Sequence, residues 1–174
     1  MRETIETLKT RRSCRAYQPR QVEEGLLQQV LEAGLYAPSG RGAQPVVFVV
    51  VQDQATLAEL SRRNAAVMGA DTDPFYGAPT VVTCFAPKGF LFAAEDCAMA
   101  AETLMLAADA LGVGSCYIGQ GWAAFADPYG QEILAQWAIP GDHYAVCQVL
   151  LGYPRPGDPH PTPKPRKSGR VLRV

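Results

Sequence analysis

The sequence contains no apolar run of membrane-spanning length. The longest, Val46–Val51, is far short of the roughly twenty residues a bilayer requires. The opening residues MRETIETLKTRRS hold no stretch of signal-peptide type either, so a soluble, cytoplasmic protein is expected. The formal net charge is only −1, which supplies no global field for nucleic acid or an anionic membrane. Any basic site must be a local cluster. Histidine occurs only at His143 and His160, each isolated, and the five cysteines, Cys14, Cys84, Cys97, Cys116 and Cys147, show no CxxC or Cys/His ligand spacing. A metal site is not expected, and buried free thiols are. Cys14, among arginines that would lower its pKa, is the one candidate reactive thiol.

What is present centres on one stretch, Ala93–Gly121, AAEDCAMAAETLMLAADALGVGSCYIGQG. No Pro or Gly interrupts it before Gly112, and Glu95, Glu102 and Asp109, seven apart, form a narrow acidic stripe on an otherwise apolar cylinder. A helix apolar on so many sides belongs at the centre of a domain or at a subunit interface. Ala98, Met99, Ala101, Leu104, Met105 and Ala108 are the expected packing residues, and Gly112 the left-handed cap. The 174 residues suit one domain with a sizeable core.

Apolar spacing predicts further helices over 3–10, with Ile5 and Leu8 on one face, over 22–36, from an Asp53 cap to about Met68, and from Asp127-Pro128 to just before Pro140. Val46–Val51, continuously apolar and β-branched, reads as a central strand buried on both faces. Residues 78–86 and 144–151 read as two more strands, with a short extended piece at Tyr117–Ile118.

Three places carry possible chemistry. Arg11-Arg12-Ser13-Cys14-Arg15 sets three guanidinium groups and a hydroxyl close together, either as a solvated basic loop or as a fork for phosphate or another anion. Residues 37–45, APSGRGAQP, form a polar loop longer than a helix-to-strand connection needs, and such loops often carry sites. From Gly152 the chain turns proline-rich and basic. It is an extended tail, a polyproline ligand for a partner, or an arm whose Lys164, Arg166 and Lys167 fold back towards Arg11 and Arg15.

Taken in order, RRSCRAY, APSGRGAQP, APTVV, the helix ending LGVGSCYIG, and GYP followed by PKPRK resemble the FMN-dependent nitroreductase family over nearly the whole chain. The resemblance implies an α+β fold with a mixed, largely antiparallel central sheet flanked by helices, an intertwined homodimer, and an extended C-terminal arm over 153–174. It implies FMN at the dimer interface. Arg11, Lys164 and Arg166 would hold the phosphate, Arg12 and Ser13 the ribityl chain, and Arg15 the pyrimidine edge, where its charge favours anionic reduced flavin. Pro38, Ser39, Gly40 and Gln44 would come from the partner subunit. Ile118, Gly119 and Gln120 would present backbone beside flavin N5, with Gly119 leaving the ring face open for hydride transfer.

The implied activity is NAD(P)H-dependent reduction of nitroaromatic, quinone or similar acceptors by a ping-pong cycle, with no protein side chain as nucleophile or base. The alternatives are other flavin chemistry on the same scaffold, namely dehalogenation, ene reduction or flavin cleavage, and a non-enzymatic flavin-binding protein. The chain departs from the family at Gly42, where many members have Asn, at Val46, where they have Trp, and at Asp71–Pro74, where they have Asn and Lys. It also lacks the helical excursion that covers the site in longer members.

Overall fold

A computed structural model of the chain describes residues 4–158 and 161–174; Glu3, read as the start of the first helix, and His160 lie outside them. The helices begin and end where local chemistry directs. After α1 (Thr4–Thr10) and α2 (Glu24–Leu35), α3 (Gln54–Met68) starts at Asp53, whose carboxylate accepts from the Thr56 N–H at 2.8 Å. The long helix α4 spans Ala93–Ala110. It closes in a Schellman turn: Gly112 takes φ 76°, its N–H donates to the Asp109 carbonyl, and the Val113 N–H reaches back to Ala108 at 2.8 Å. Helix α5 (Pro128–Gln136) has the expected Asp127 cap, accepting from the Gly130 N–H, with proline in its first turn.

Four strands, β1 (Val47–Val51), β2 (Thr80–Pro87), β3 (Gly114–Ile118) and β4 (His143–Gly152), form an antiparallel sheet in the order β1-β2-β4-β3. The fold is α+β, as expected. Among the described residues the one parallel pairing is an isolated bridge between Ser13 and Ser115. Strand side chains alternate between two cores. Val82, Cys84 and Ala86 of β2, with Cys147, Val149 and Leu151 of β4, pack under α2 and α4 against Val30, Cys97 and Leu104. On the opposite face Val81, Phe85, Ala145 and Leu150 meet Leu57 and Leu60 of α3, Phe125, and Ile133 and Leu134 of α5. A buried polar link crosses that second layer, the Asn64 side-chain amide donating to Gln148 at 2.8 Å.

One expectation fails. Strand β1 is an edge strand, not a central one, and Val47 at its start is 37% exposed. Both its faces are covered in part, Phe48 and Val50 by one core and Val49 by the other. A continuous apolar run reports covered faces and says nothing about whether a strand has two neighbours. In α1, Ile5 and Leu8 are 54% and 50% exposed while Thr7 is the buried residue, so the predicted apolar face is turned outward. On α4, Ala101, Leu104, Met105 and Ala108 are buried as expected, but Ala98 and Met99 are exposed.

Helix α5 ends in the same Schellman geometry as α4 but with Ala138, at φ 54°, where α4 uses glycine; its N–H and that of Ile139 bond Ala135 and Leu134. A Cβ in the left-handed region costs about 1 kcal/mol, and Ala138 is exposed. Ala138→Gly should therefore raise stability by roughly 0.5–1 kcal/mol in urea unfolding; an unchanged or lower midpoint would contradict this.

Candidate functional site

Arg11–Arg15 runs beside β3 at the free edge of the sheet. Besides the Ser13–Ser115 bridge, the Cys14 N–H donates to the Ser115 carbonyl at 2.8 Å. The Tyr17–Pro154 bridge and the Gln18 N–H donating to Tyr153 tie the start of the C-terminal arm to the same strip. Two segments remote in sequence thus share one edge, and Ser13, Arg15 and Ala16 face Pro154, Asp158 and Pro161 across a cavity of about 180 Å³.

The electrostatics of this edge are incomplete within the chain. The Arg11 side chain is 21% exposed, with Nε 3.8 Å from Glu102 Oε1, so one member of the acidic stripe gains a partner. Among the described residues, Arg11 Nη1 is buried without a hydrogen-bond partner, and so is Ser115 Oγ on the adjoining strand. Buried polar groups without partners are rare and costly, and a guanidinium nitrogen in that state suits an anion rich in acceptor oxygens. Arg12 Nη1 donates to the Arg11 carbonyl. Arg15 is exposed, its guanidinium 6.0 Å from the centroid of the Tyr76 ring.

Tyr76 escaped sequence reasoning, since no spacing distinguishes it. It sits at φ 54° in a turn built by Asp73, whose carboxylate accepts from the N–H groups of Phe75 and Gly77 and from the Ser61 hydroxyl. One of the departures noted in the sequence is thus the organiser of a turn.

The second cluster lies on the opposite edge, ahead of β1. Pro38–Gln44 holds a single 3₁₀ turn, Gly40–Gly42, and Ser39 Oγ accepts from the Gln44 N–H at 2.9 Å. Pro38, Ser39, Gln44, Val46 and Phe48 line a cavity of about 180 Å³ together with Asp96. Asp96 was also missed. It lies off the acidic stripe of Glu95, Glu102 and Asp109, on the buried side of α4, at 5% exposure.

Ile118 ends β3 half-buried opposite Gln148, and Gly119 and Gln120 follow, exposed. A Cβ built on Gly119 would stand 3.3 Å from the Tyr117 ring. Lys164 and Arg166 are exposed, and the hydrogen bonds of Arg166 run to the Lys164 carbonyl. The chain therefore brings Arg11–Arg15 beside the arm as far as Pro161, does not join Lys164 or Arg166 to Arg11 directly, and sets Pro38–Gln44 across the sheet.

The three-layer α+β fold thus carries basic groups on one sheet edge and a polar loop on the other. The chain belongs to the nitroreductase family, whose description matches residues 8–153. A nitroreductase of Bacteroides fragilis with bound FMN superposes with a TM-score of 0.90 at 34% identity, each chain covered in full. One from Desulfitobacterium hafniense, also with bound FMN, does so at 0.87 and 26% identity, over 100% of this chain and 99% of that one. A protein of Archaeoglobus fulgidus, provisionally named NADH dehydrogenase/NAD(P)H nitroreductase, is 32% identical over 159 residues, 89% of this chain and 87% of its own length. Among the described residues no helix is long and apolar enough to cross a membrane.

The five cysteines are free and buried. Burial raises the Cys14 thiol pKa, outweighing the hydrogen bonding at Ala16 and Tyr17 that lowers it, and its Sγ donates to the Ala16 carbonyl at 3.2 Å. The expected buried free thiols are found, and Cys14 is among them rather than a reactive exception. A thiol whose pKa is raised stays protonated at neutral pH. Native protein should show no fast-reacting thiol towards a disulfide reagent at pH 7, with all five titrating after unfolding; rapid modification of Cys14 would contradict this assignment.

Proposed function

We propose that the protein is an FMN-dependent oxidoreductase that uses NAD(P)H to reduce nitroaromatic, quinone or similar acceptors, as a homodimer whose two sites each draw residues from both chains. The observation that carries the reading is the buried, unpartnered Arg11 Nη1, which fits the phosphate of FMN. Arg11, with Lys164 and Arg166 from the arm, holds that phosphate. Pro161 lines the same cavity as Ser13 and Arg15, and Lys164, three residues on, has an extended reach of about 10 Å. Arg12 and Ser13 serve the ribityl chain, and Arg15 the pyrimidine edge. Pro38, Ser39, Gly40 and Gln44 close the opposite side from the second chain, and Ile118, Gly119 and Gln120 border the reacting face. Residues 1–174 act as one FMN-binding domain.

When bound, the flavin supplies hydride acceptance and donation at N5. The protein's own part is to neutralise the phosphate, fix the ring, place positive charge at its pyrimidine edge through Arg15, and leave the face at Gly119 clear. Reduced nicotinamide and acceptor then use that face in turn, which is a ping-pong order. The dimer reading rests on the opposed edges and on the outward-facing Ile5, Leu8, Leu35, Tyr36 and Met99, an apolar set that a second chain would cover.

The deciding experiment identifies the cofactor by mass after denaturation and follows the flavin band near 450 nm, as expected of oxidised flavin, under anaerobic NAD(P)H. Bleaching, followed by recovery on adding a quinone or nitroaromatic, supports the enzyme. Protein that takes up no FMN refutes it, and yellow protein that NAD(P)H leaves unbleached supports a flavin binder instead. Lys164→Ala with Arg166→Ala should weaken FMN retention by about 2 kcal/mol or more, read by equilibrium dialysis; unchanged affinity would remove the arm from the phosphate site.

A further inference from the structure

The loop over Pro38–Gln44 has an unusual backbone. Arg41 and Gln44 take φ 57° and 50°, with Gly42 between them at 65°. Left-handed conformations are uncommon for residues with a side chain, and they persist only where surrounding contacts over-determine them. Two such residues in one short loop require an anchor.

The anchor is on α4. The Gly40 N–H, at the base of the strained stretch, donates to Asp96 Oδ1 at 2.9 Å and to Oδ2 at 3.1 Å. No other hydrogen bond or ion pair to the Asp96 side chain is found among the described residues, although it is 5% exposed. Placing a carboxylate there carries a desolvation cost that one backbone amide offsets only in part. Phe92, one helical turn before Asp96, completes the seat: a Cβ on Gly40 would lie 2.3 Å from Phe92 Cδ2 and 2.7 Å from its Cγ. The glycine is required by contact rather than by dihedral angle. From the other side, Ser39 Oγ ties the loop to itself at Gln44.

We infer that Asp96 is a positioning residue, holding Pro38–Gln44 in its strained shape through the Gly40 N–H, so that the loop is set before any ligand arrives. The part of this inference that concerns cofactor affinity rests on the flavin reading above; the part that concerns loop geometry does not. A loop fixed in advance loses less freedom on binding, and the affinity it lends depends on the anchor.

Two readouts separate these parts. Arg41 is exposed, so trypsin cleavage after it reports the loop without any cofactor. Asp96→Ala should speed that cleavage at least tenfold in FMN-free protein, while Asp96→Asn, which keeps an acceptor oxygen at the same reach, should restore most of the protection. In FMN titration, Asp96→Ala should raise Kd at least tenfold, with the Asn variant again intermediate. The thermal midpoint of the FMN-free Ala variant should stay near that of the wild type, because a buried charge is removed along with its hydrogen bond.

If Asp96→Ala does not fold, Gly40→Ala displaces the loop from Phe92 while leaving the carboxylate in place, and should give the same accelerated cleavage. Adding Phe92→Ala should reverse it. Wild-type cleavage kinetics in Asp96→Ala, or in Gly40→Ala where that variant stands in, would overturn the inference. So would a loss of protection that Asn does not restore and that follows a fall in thermal midpoint. Accelerated cleavage in a protein that binds no FMN at all would leave Asp96 as the anchor and refute the flavin reading instead.

Discussion

Three strand spacings, about 14 Å, separate the edge that carries Arg11–Arg15 from the edge that carries Pro38–Gln44, because the strand order β1-β2-β4-β3 puts β1 and β3 at opposite sides. The middle pair, β2 and β4, is buried on both faces by helices, so no ligand passes through the sheet. The two edges therefore carry different groups, basic side chains on one and a strained polar loop on the other. In the proposed homodimer, the basic edge of one chain would meet the loop edge of the other. The exposed apolar side chains on α1, α2 and α4 then acquire a reason.

The two edges are built on different principles. The arginine edge relies on charge: the partly buried Arg11 has one distant carboxylate partner, Glu102, and a buried nitrogen with no partner among the described residues. An incoming phosphate would meet donors already desolvated, which strengthens each contact. The loop edge relies on shape. It holds left-handed residues against a buried carboxylate and an aromatic ring. Helix α4 touches both edges, through Glu102 and through Asp96, and so ties them to one rigid element.

Much of the fold was legible because helix signals are local. The caps at Asp53 and Asp127 and the stop at Gly112 follow from a few residues each. The edge position of β1 was not legible, since its run VFVVV records two covered faces and carries no information about lateral neighbours. In the site, the arginine cluster stood out by composition. Tyr76 and Asp96 did not, because their roles depend on contacts to Arg15 and Gly40, 61 and 56 positions away in the sequence. At Cys14 the arginines adjacent in sequence suggest an electropositive thiol, while in the fold its burial decides.

The central claim is that one site takes its basic half from one chain and its loop half from another, and subunit complementation tests it most directly. A chain carrying Arg11→Ala and Arg15→Ala, and another carrying Gly40→Ala, would each be defective in FMN binding as homodimers. A shared site predicts that a hybrid of the two regains one intact site, so refolded mixtures recover FMN binding up to one flavin per hybrid dimer. No recovery in a hybrid shown to form would contradict the shared site and place each flavin within a single chain.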